Sequence, residues 1–364
     1  MKTVTIDKNA FRRFVDEIIK QQRVIGVCAK GDRFDFDLLE SADQLRLDYD
    51  VTLQPPKKYF LPPVETLLTF EVGDGYKSVY DDSVAGILPA PILTEGGTPS
   101  TQFVLLGVHP YDMVALNQLD KLFTQDNYDT HYMKRRHNAT IVVCDVVSVS
   151  KNVFASSMGT ATIKDGFDVL LTDIGNAFVM ESGSKKGDSF IAKAQDAAAS
   201  SEKDLQARHK IQAENEKRLN NHKLKCEASY LPKLLEVAYD HPVWEEKAKT
   251  CFSCGSCNLV CPTCYCFNVQ DDVNWDFISG KRERAWDGCL LDGFTKVAGE
   301  HEFRKKRADR FRHRLYRKCK YVPEKIGSSV MSCVGCGRCV GACLPDIANP
   351  VKVYNRLVDD LGIK

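Results

Sequence analysis

Between residues 8 and 20 the apolar side chains Phe11, Phe14, Val15, Ile18 and Ile19 recur at spacings of three and four, which predicts a helix with one buried face. Unbroken apolar runs follow at residues 24–28, 103–108 and 141–144, with further strand-like pieces at 45–53, 166–173 and 178–180. After the second run, Met113, Leu116, Leu119 and Leu122 return to helical spacing. Strands alternating with helices predict an α/β domain over residues 1–185. From 191 to 224 the chain turns polar and rich in Ala, Lys, Glu and Gln, without Gly or Pro, so a long solvated helix is expected as a linker over 186–230. Leu231, Leu234, Leu235 and Val237 then mark a shorter helix opening a third region, 231–364.

The cysteines change this picture. Cys251, Cys254, Cys257 and Cys261 follow one another with two, two and three residues between them, and Pro262 comes directly after, which is the ligand run of bacterial ferredoxins. A second run, Cys333, Cys336, Cys339 and Cys343, repeats the spacing, with Gly335 and Gly337 between its ligands. Thiolates on a tight loop can grip several irons of one cube. Zinc on two C-x2-C pairs would use four ligands in total, where this chain offers four plus four. In two-cluster ferredoxins the fourth cysteine of each run ligates the other cluster. The expected sets are therefore Cys251, Cys254, Cys257 and Cys343 for one [4Fe–4S] cluster, and Cys333, Cys336, Cys339 and Cys261 for the other. The long stretch between the runs points to a mainly α-helical, ferredoxin-like domain rather than a minimal ferredoxin.

Charge is balanced, 50 Lys and Arg against 49 Asp and Glu, so nothing global argues for nucleic acid. The first residues are charged and amphipathic without an apolar signal core, and no run reaches the length of a membrane span, so a cytoplasmic protein with no direct membrane insertion is expected. Residues 281–320 hold fourteen basic against six acidic side chains, including Arg304, Lys305, Lys306 and Arg307. This reads as a solvated helix face, with an electropositive docking surface as the alternative. Pro55-Pro56-Lys57-Lys58-Tyr59-Phe60-Leu61-Pro62-Pro63 reads as a rigid connector.

These residues resemble the iron–sulfur subunit family shared by anaerobic sulfite reductases, as their A subunit, and sulfhydrogenases, as their beta subunit. The matching pieces are Pro56 through Pro63, Gly107 through Asp112, Ser156-Ser157-Met158-Gly159-Thr160, Cys251 through Phe267, Trp286-Asp287-Gly288-Cys289 and the run ending at Cys343. The resemblance implies an electron-transfer subunit with no catalytic residue of its own. It would relay electrons between a flavin-bearing, NAD(P)H-binding subunit and a catalytic metalloenzyme subunit holding siroheme or nickel–iron. Many relatives carry four N-terminal cysteines that look like ligands of a further cluster; here the positions are Tyr111, Cys144, Val153 and Ala155, so that cluster is not expected. Cys264, Cys266 and Cys289 read as thiols packed beside a cube, with an extra metal centre as the alternative, needing a fourth ligand. Cys28, Cys226 and Cys319 receive no role. Two rival functions stay open: a reductase in its own right, binding flavin or substrate near Lys57, Lys58 and His109, and a structural adaptor. Against the first, no glycine-rich dinucleotide fingerprint is present.

Overall fold

The computed structural model describes residues 2–72 and 102–363 and, between them, the backbone of residues 75–78, 92–93 and 99–100. The chain opens with β1 (Thr3–Asp7) and α1 (Lys8–Gln21). Asp7 caps that helix by accepting from the backbone N–H of Asn9 at 2.8 Å. The predicted apolar face is buried through Phe11, Phe14, Val15 and Ile18. A hairpin of β2 (Arg23–Lys30) and β3 (Arg33–Leu38) follows, turned at left-handed Gly31. Next come β4 (Val64–Glu71), β5 (Gly75–Ser78), β6 (Ile92–Leu93), β7 (Pro99–Ser100) and β8 (Phe103–Val108). Two helices, α2 (Pro110–Thr124) and α3 (Thr130–Asn138), lead to β9 (Ala139–Cys144), β10 (Val169–Asp173) and β11 (Ala177–Ser182). After α4 (Lys185–Ala192), β12 (Ala198–Ala199) and α5 (Glu202–Arg218), the remainder comprises α6 (Leu231–Val237), α7 (Val243–Lys249), α8 (Ser256–Leu259), β13 (Phe267–Val273), β14 (Ser279–Trp286), α9 (Arg307–Tyr316), α10 (Val322–Lys325), α11 (Arg338–Gly341) and α12 (Pro350–Asp360).

The main sheet has eight strands in the order β12-β1-β11-β10-β9-β8-β2-β3. Its centre, β10-β9-β8-β2, is parallel, and the outer strands are antiparallel. All six residues of β8 are buried, as expected for a strand covered on both faces.

Two expectations change. Residues 45–53 form no strand; Tyr49 is buried there, and its hydroxyl donates to the Gly107 carbonyl at 2.7 Å. The polar segment is not one long helix either. Ser201 and Asp204 form a capping box that starts α5, and just before it Ala198 and Ala199 pair with β1.

The helices of the C-terminal region pack around Leu231, Leu235, Trp244, Phe311, Tyr316 and Tyr354. It also contains a long hairpin, β13–β14, which the polar sequence did not announce. That hairpin pairs with β4 from the N-terminal part, giving a four-stranded sheet in the order β13-β14-β4-β5. Glu65 on β4 is fully buried and held by Arg135 of α3 at 2.7 Å and by Arg284 of β14. One sheet and one buried ionic group thus tie the two ends of the chain together.

Candidate metal centres

Both cysteine runs adopt the same local shape. The residue before the second cysteine, Ser253 in one run and Gly335 in the other, has left-handed backbone, with φ of 52° and 68°. The glycine after it, Gly255 or Gly337, is also left-handed, with φ of 74° and 78°, and begins a one-turn helix, α8 or α11, that carries the third cysteine. Two left-handed positions within three residues wrap the chain around its thiols, and glycine supplies three of the four at no steric cost.

The second loop rests on the N-terminal part. A Cβ on Gly335 would lie 2.6 Å from the Phe154 carbonyl oxygen, and one on Gly337 would lie 2.3 Å from that of Asn152. The Phe154 N–H donates to the Gly335 carbonyl at 2.8 Å, and Thr160 Oγ1 donates to that of Val334 at 2.7 Å. The Ser-Ser-Met-Gly-Thr motif therefore buttresses a cysteine loop. Gly107-Val108-His109-Pro110-Tyr111-Asp112 does the same from another side. Asp112, in the first turn of α2, takes a two-pronged bond from Arg338 at 2.6 and 2.7 Å, and both side chains are buried. Arg338 sits between Cys336 and Cys339 and also donates to the carbonyl and hydroxyl of Thr52.

The eight run cysteines line two separate cavities. Cys261, Cys333, Cys336 and Cys339 line one, with Arg314 and Lys318. Cys251, Cys254, Cys257 and Cys343 line the other, with Phe252, Leu344 and Pro345. Each cavity takes three thiols from one run and the fourth from the other. Cys264, Cys266 and Cys289 share a third, with Arg314, Arg317 and Lys318.

The donor chemistry fits iron–sulfur cubes. Among the described residues no three or more His, Cys, Asp or Glu converge closely enough to hold a single metal ion. The thiols surround spaces instead of meeting at a point, as a multi-iron group needs. Burial pushes the Cys257 and Cys336 thiols up to about 12, so they become thiolates only beside positive charge, which bound iron supplies. Buried cations complete the setting. Arg314 is 3% exposed, and among the described residues its Nε and Nη1 have no hydrogen-bond partner and no carboxylate pairs with it. Burial opposes its charge, but the neighbouring sulfurs of Cys257, Cys339 and Cys261 favour it and keep its pKa well above the usual value. Lys318 Nζ donates to Thr263 Oγ1 at 2.8 Å, and Thr263 in turn donates to the Ser332 carbonyl. Arg310, Arg314 and Lys318, expected on a solvated face, are buried: Arg310 pairs with Asp292 at 3.0 Å and with Glu302, while Arg314 and Lys318 line a cysteine cavity.

Lys57 and Trp286, also singled out in the sequence, meet each other. Lys57 Nζ lies 4.2 Å from the centre of the Trp286 ring and donates to the Cys264 carbonyl at 2.6 Å, and burial lowers its pKa to about 8. Trp286 Nε1 donates to the Leu61 carbonyl. The proline-bracketed segment is thus a clamp over the cysteine region rather than a connector. Asn258 Nδ2 donates to Cys289 Sγ at 3.3 Å, linking that thiol to the α8 loop. Lys58 pairs with Asp35, and His109 is fully buried, stacked on Tyr49 at 3.9 Å and bonded to the Tyr111 hydroxyl. The residues proposed for a flavin or substrate site are committed to internal contacts. Tyr111, Val153 and Ala155 pack in one small apolar cluster with Val334 and Cys336, while Cys144 is buried in the core of the main sheet.

Two cysteine loops folded against an α/β sheet define an iron–sulfur subunit of the electron-transfer class. Residues 250–347 match the 4Fe-4S dicluster domain model. The chain is 32% identical to the sulfhydrogenase 2 subunit beta of Pyrococcus furiosus over 363 residues, covering 99% of this chain and 100% of that relative. The chain belongs to the iron–sulfur subunit family of sulfhydrogenase beta subunits and anaerobic sulfite reductase A subunits. No described helix is long and apolar enough to cross a membrane.

Proposed function

We propose that this chain is the electron relay of a multi-subunit oxidoreductase, carrying two [4Fe–4S] clusters between a flavin-bearing, NAD(P)H-binding subunit and a catalytic metalloenzyme subunit. The observation that carries this reading is the division of eight thiols between two cavities, three from one loop and one from the other in each. Cys251, Cys254, Cys257 and Cys343 would hold one cluster, and Cys333, Cys336, Cys339 and Cys261 the other. When bound, such clusters take up and release single electrons at potentials tuned by charge, hydrogen bonds and exposure. The chain's own part is to fix the thiols, keep water from the inner cavity and surround it with cations. Arg314 and Lys318 line that cavity and favour a negative group inside it.

Cys264, Cys266 and Cys289 are assigned to packing beside the clusters. This is supported at Cys289, whose sulfur is taken up by the Asn258 amide. The full chain, reconstituted anaerobically with iron and sulfide, should bind about eight irons as two cubes. It should bleach with dithionite and, freed of excess reductant, recover its colour when mixed with its flavin-bearing subunit in the oxidised state, which takes up the electrons. About twelve irons would make the third cavity a metal centre, and a chain that binds iron but never bleaches would be an adaptor.

A further inference from the structure

The two cavities differ in how they meet the surface. Of the fifteen cysteines only Cys254 is exposed, and it belongs to the cavity of Cys251, Cys257 and Cys343. Two large apolar side chains line the same cavity while facing solvent, Phe252 at 70% and Leu344 at 93% exposure. Basic side chains gather at the Cys251 edge. Lys249 lies two residues before it, and Arg307 Nη1 donates to the Cys251 carbonyl at 2.9 Å, which brings Lys305 and Lys306 alongside. Lys249, Lys305, Lys306 and Arg307 are exposed, and none pairs with a carboxylate among the described residues. The other cavity has no exposed cysteine, and its cations, Arg314 and Lys318, are buried.

Resting on the two-cluster reading, the geometry points to the mouth framed by Phe252, Cys254 and Leu344 as the port where a protein redox partner docks. The partner is an electron-transfer protein whose own redox group lies under an apolar patch with an acidic rim. An exposed apolar centre with unpaired charge on one side is the pattern of an interface that is steered by charge and closed by burial. Its rim meets Lys249, Lys305, Lys306 and Arg307, and its apolar patch covers Phe252 and Leu344. One electron then passes from the partner's reduced group, which is oxidised, to the cluster at Cys254, which is reduced; no bond changes. The inner cluster exchanges electrons only through this one or with a group reached from another face.

The test uses the full cluster-loaded chain, oxidised, and two reductants followed by stopped flow: a reduced acidic [2Fe–2S] ferredoxin and a reduced zwitterionic viologen. The double variant Lys305→Glu/Lys306→Glu should react about tenfold more slowly with the ferredoxin at low salt, the gap closing as ionic strength rises. Leu344→Ser, which removes the apolar surface without adding charge, should slow the ferredoxin reaction at every ionic strength. Both variants should keep about eight irons and an unchanged rate with the viologen. Unchanged ferredoxin rates in both variants would overturn the port, as would an equal loss with the viologen, which would place the effect in the clusters. A dimer in light scattering that Leu344→Ser abolishes would assign the face to a second copy of this chain. A parent chain that binds no iron would overturn the two-cluster reading itself, and the port with it.

Discussion

Arg314 is a buried guanidinium whose company is sulfur: it lines the cavities of Cys333 and of Cys289, and the Cys257 sulfur acts on it from the cavity of Cys251. Removing this charge should make both clusters harder to reduce. Arg314→Met is expected to lower both midpoint potentials, by about 60 mV for a tenfold change in a one-electron equilibrium, with Arg314→Lys recovering part of the shift. Potentiometric titration followed by EPR measures this, and unchanged potentials would remove Arg314 from the electrostatics of the site. Asp112 poses the converse case. Asp112→Ala leaves Arg338 buried without its counter-charge, a change that costs about 3–5 kcal/mol. Urea unfolding of the loaded chain should show that loss, and the cluster of Cys333, Cys336 and Cys339 should be released first because Arg338 stands inside that loop. A cost below about 1 kcal/mol, as for an exposed pair, would mean that the pair is dispensable.

Among the elements, the two cysteine loops share a backbone but not a setting. Gly337→Ala puts a methyl group 2.3 Å from the Asn152 carbonyl oxygen, whereas Gly255→Ala meets only the Leu291 side chain, at 3.0 Å. Both changes bear the left-handed penalty of about 1–2 kcal/mol; only the first also displaces backbone. Gly337→Ala should therefore lose iron during reconstitution under conditions where Gly255→Ala retains it, as measured by bound iron per chain, and equal retention would contradict the buttress. What was legible in the sequence follows the same line between local and distant causes. The α1 face and the buried strands β8 and β9 were readable because every position that packs is apolar. The strand β3 was not, since Arg33-Phe34-Asp35-Phe36-Asp37 is short and charged, and neither was β14, whose Lys281-Arg282-Glu283-Arg284 pairs with β4 more than two hundred residues upstream. The cysteine spacing announced the ligands. It could not announce Lys57, Asp112 or Thr160, which reach the loops from distant segments, nor the burial of Arg314 and Lys318, because a cysteine neighbour leaves no acidic pattern in the sequence.

At the scale of the whole molecule, the C-terminal loops are held by the α/β part rather than appended to it. Thr160 and Phe154 bond the second loop, Arg338 reaches Asp112 and Thr52, and the β13–β14 hairpin completes a sheet begun by β4. Because each cavity draws its fourth thiol from the other run, the two clusters should form one cooperative unit. The measurement that tests this most directly is iron analysis with EPR of Cys343→Ala and Cys261→Ala. Cys343→Ala should damage the cluster of Cys251, Cys254 and Cys257, far upstream in sequence, and spare that of Cys333, Cys336 and Cys339, while Cys261→Ala should do the reverse. If Cys343→Ala instead perturbs the cluster of its own run, each loop binds its own cube and the crossed arrangement is wrong.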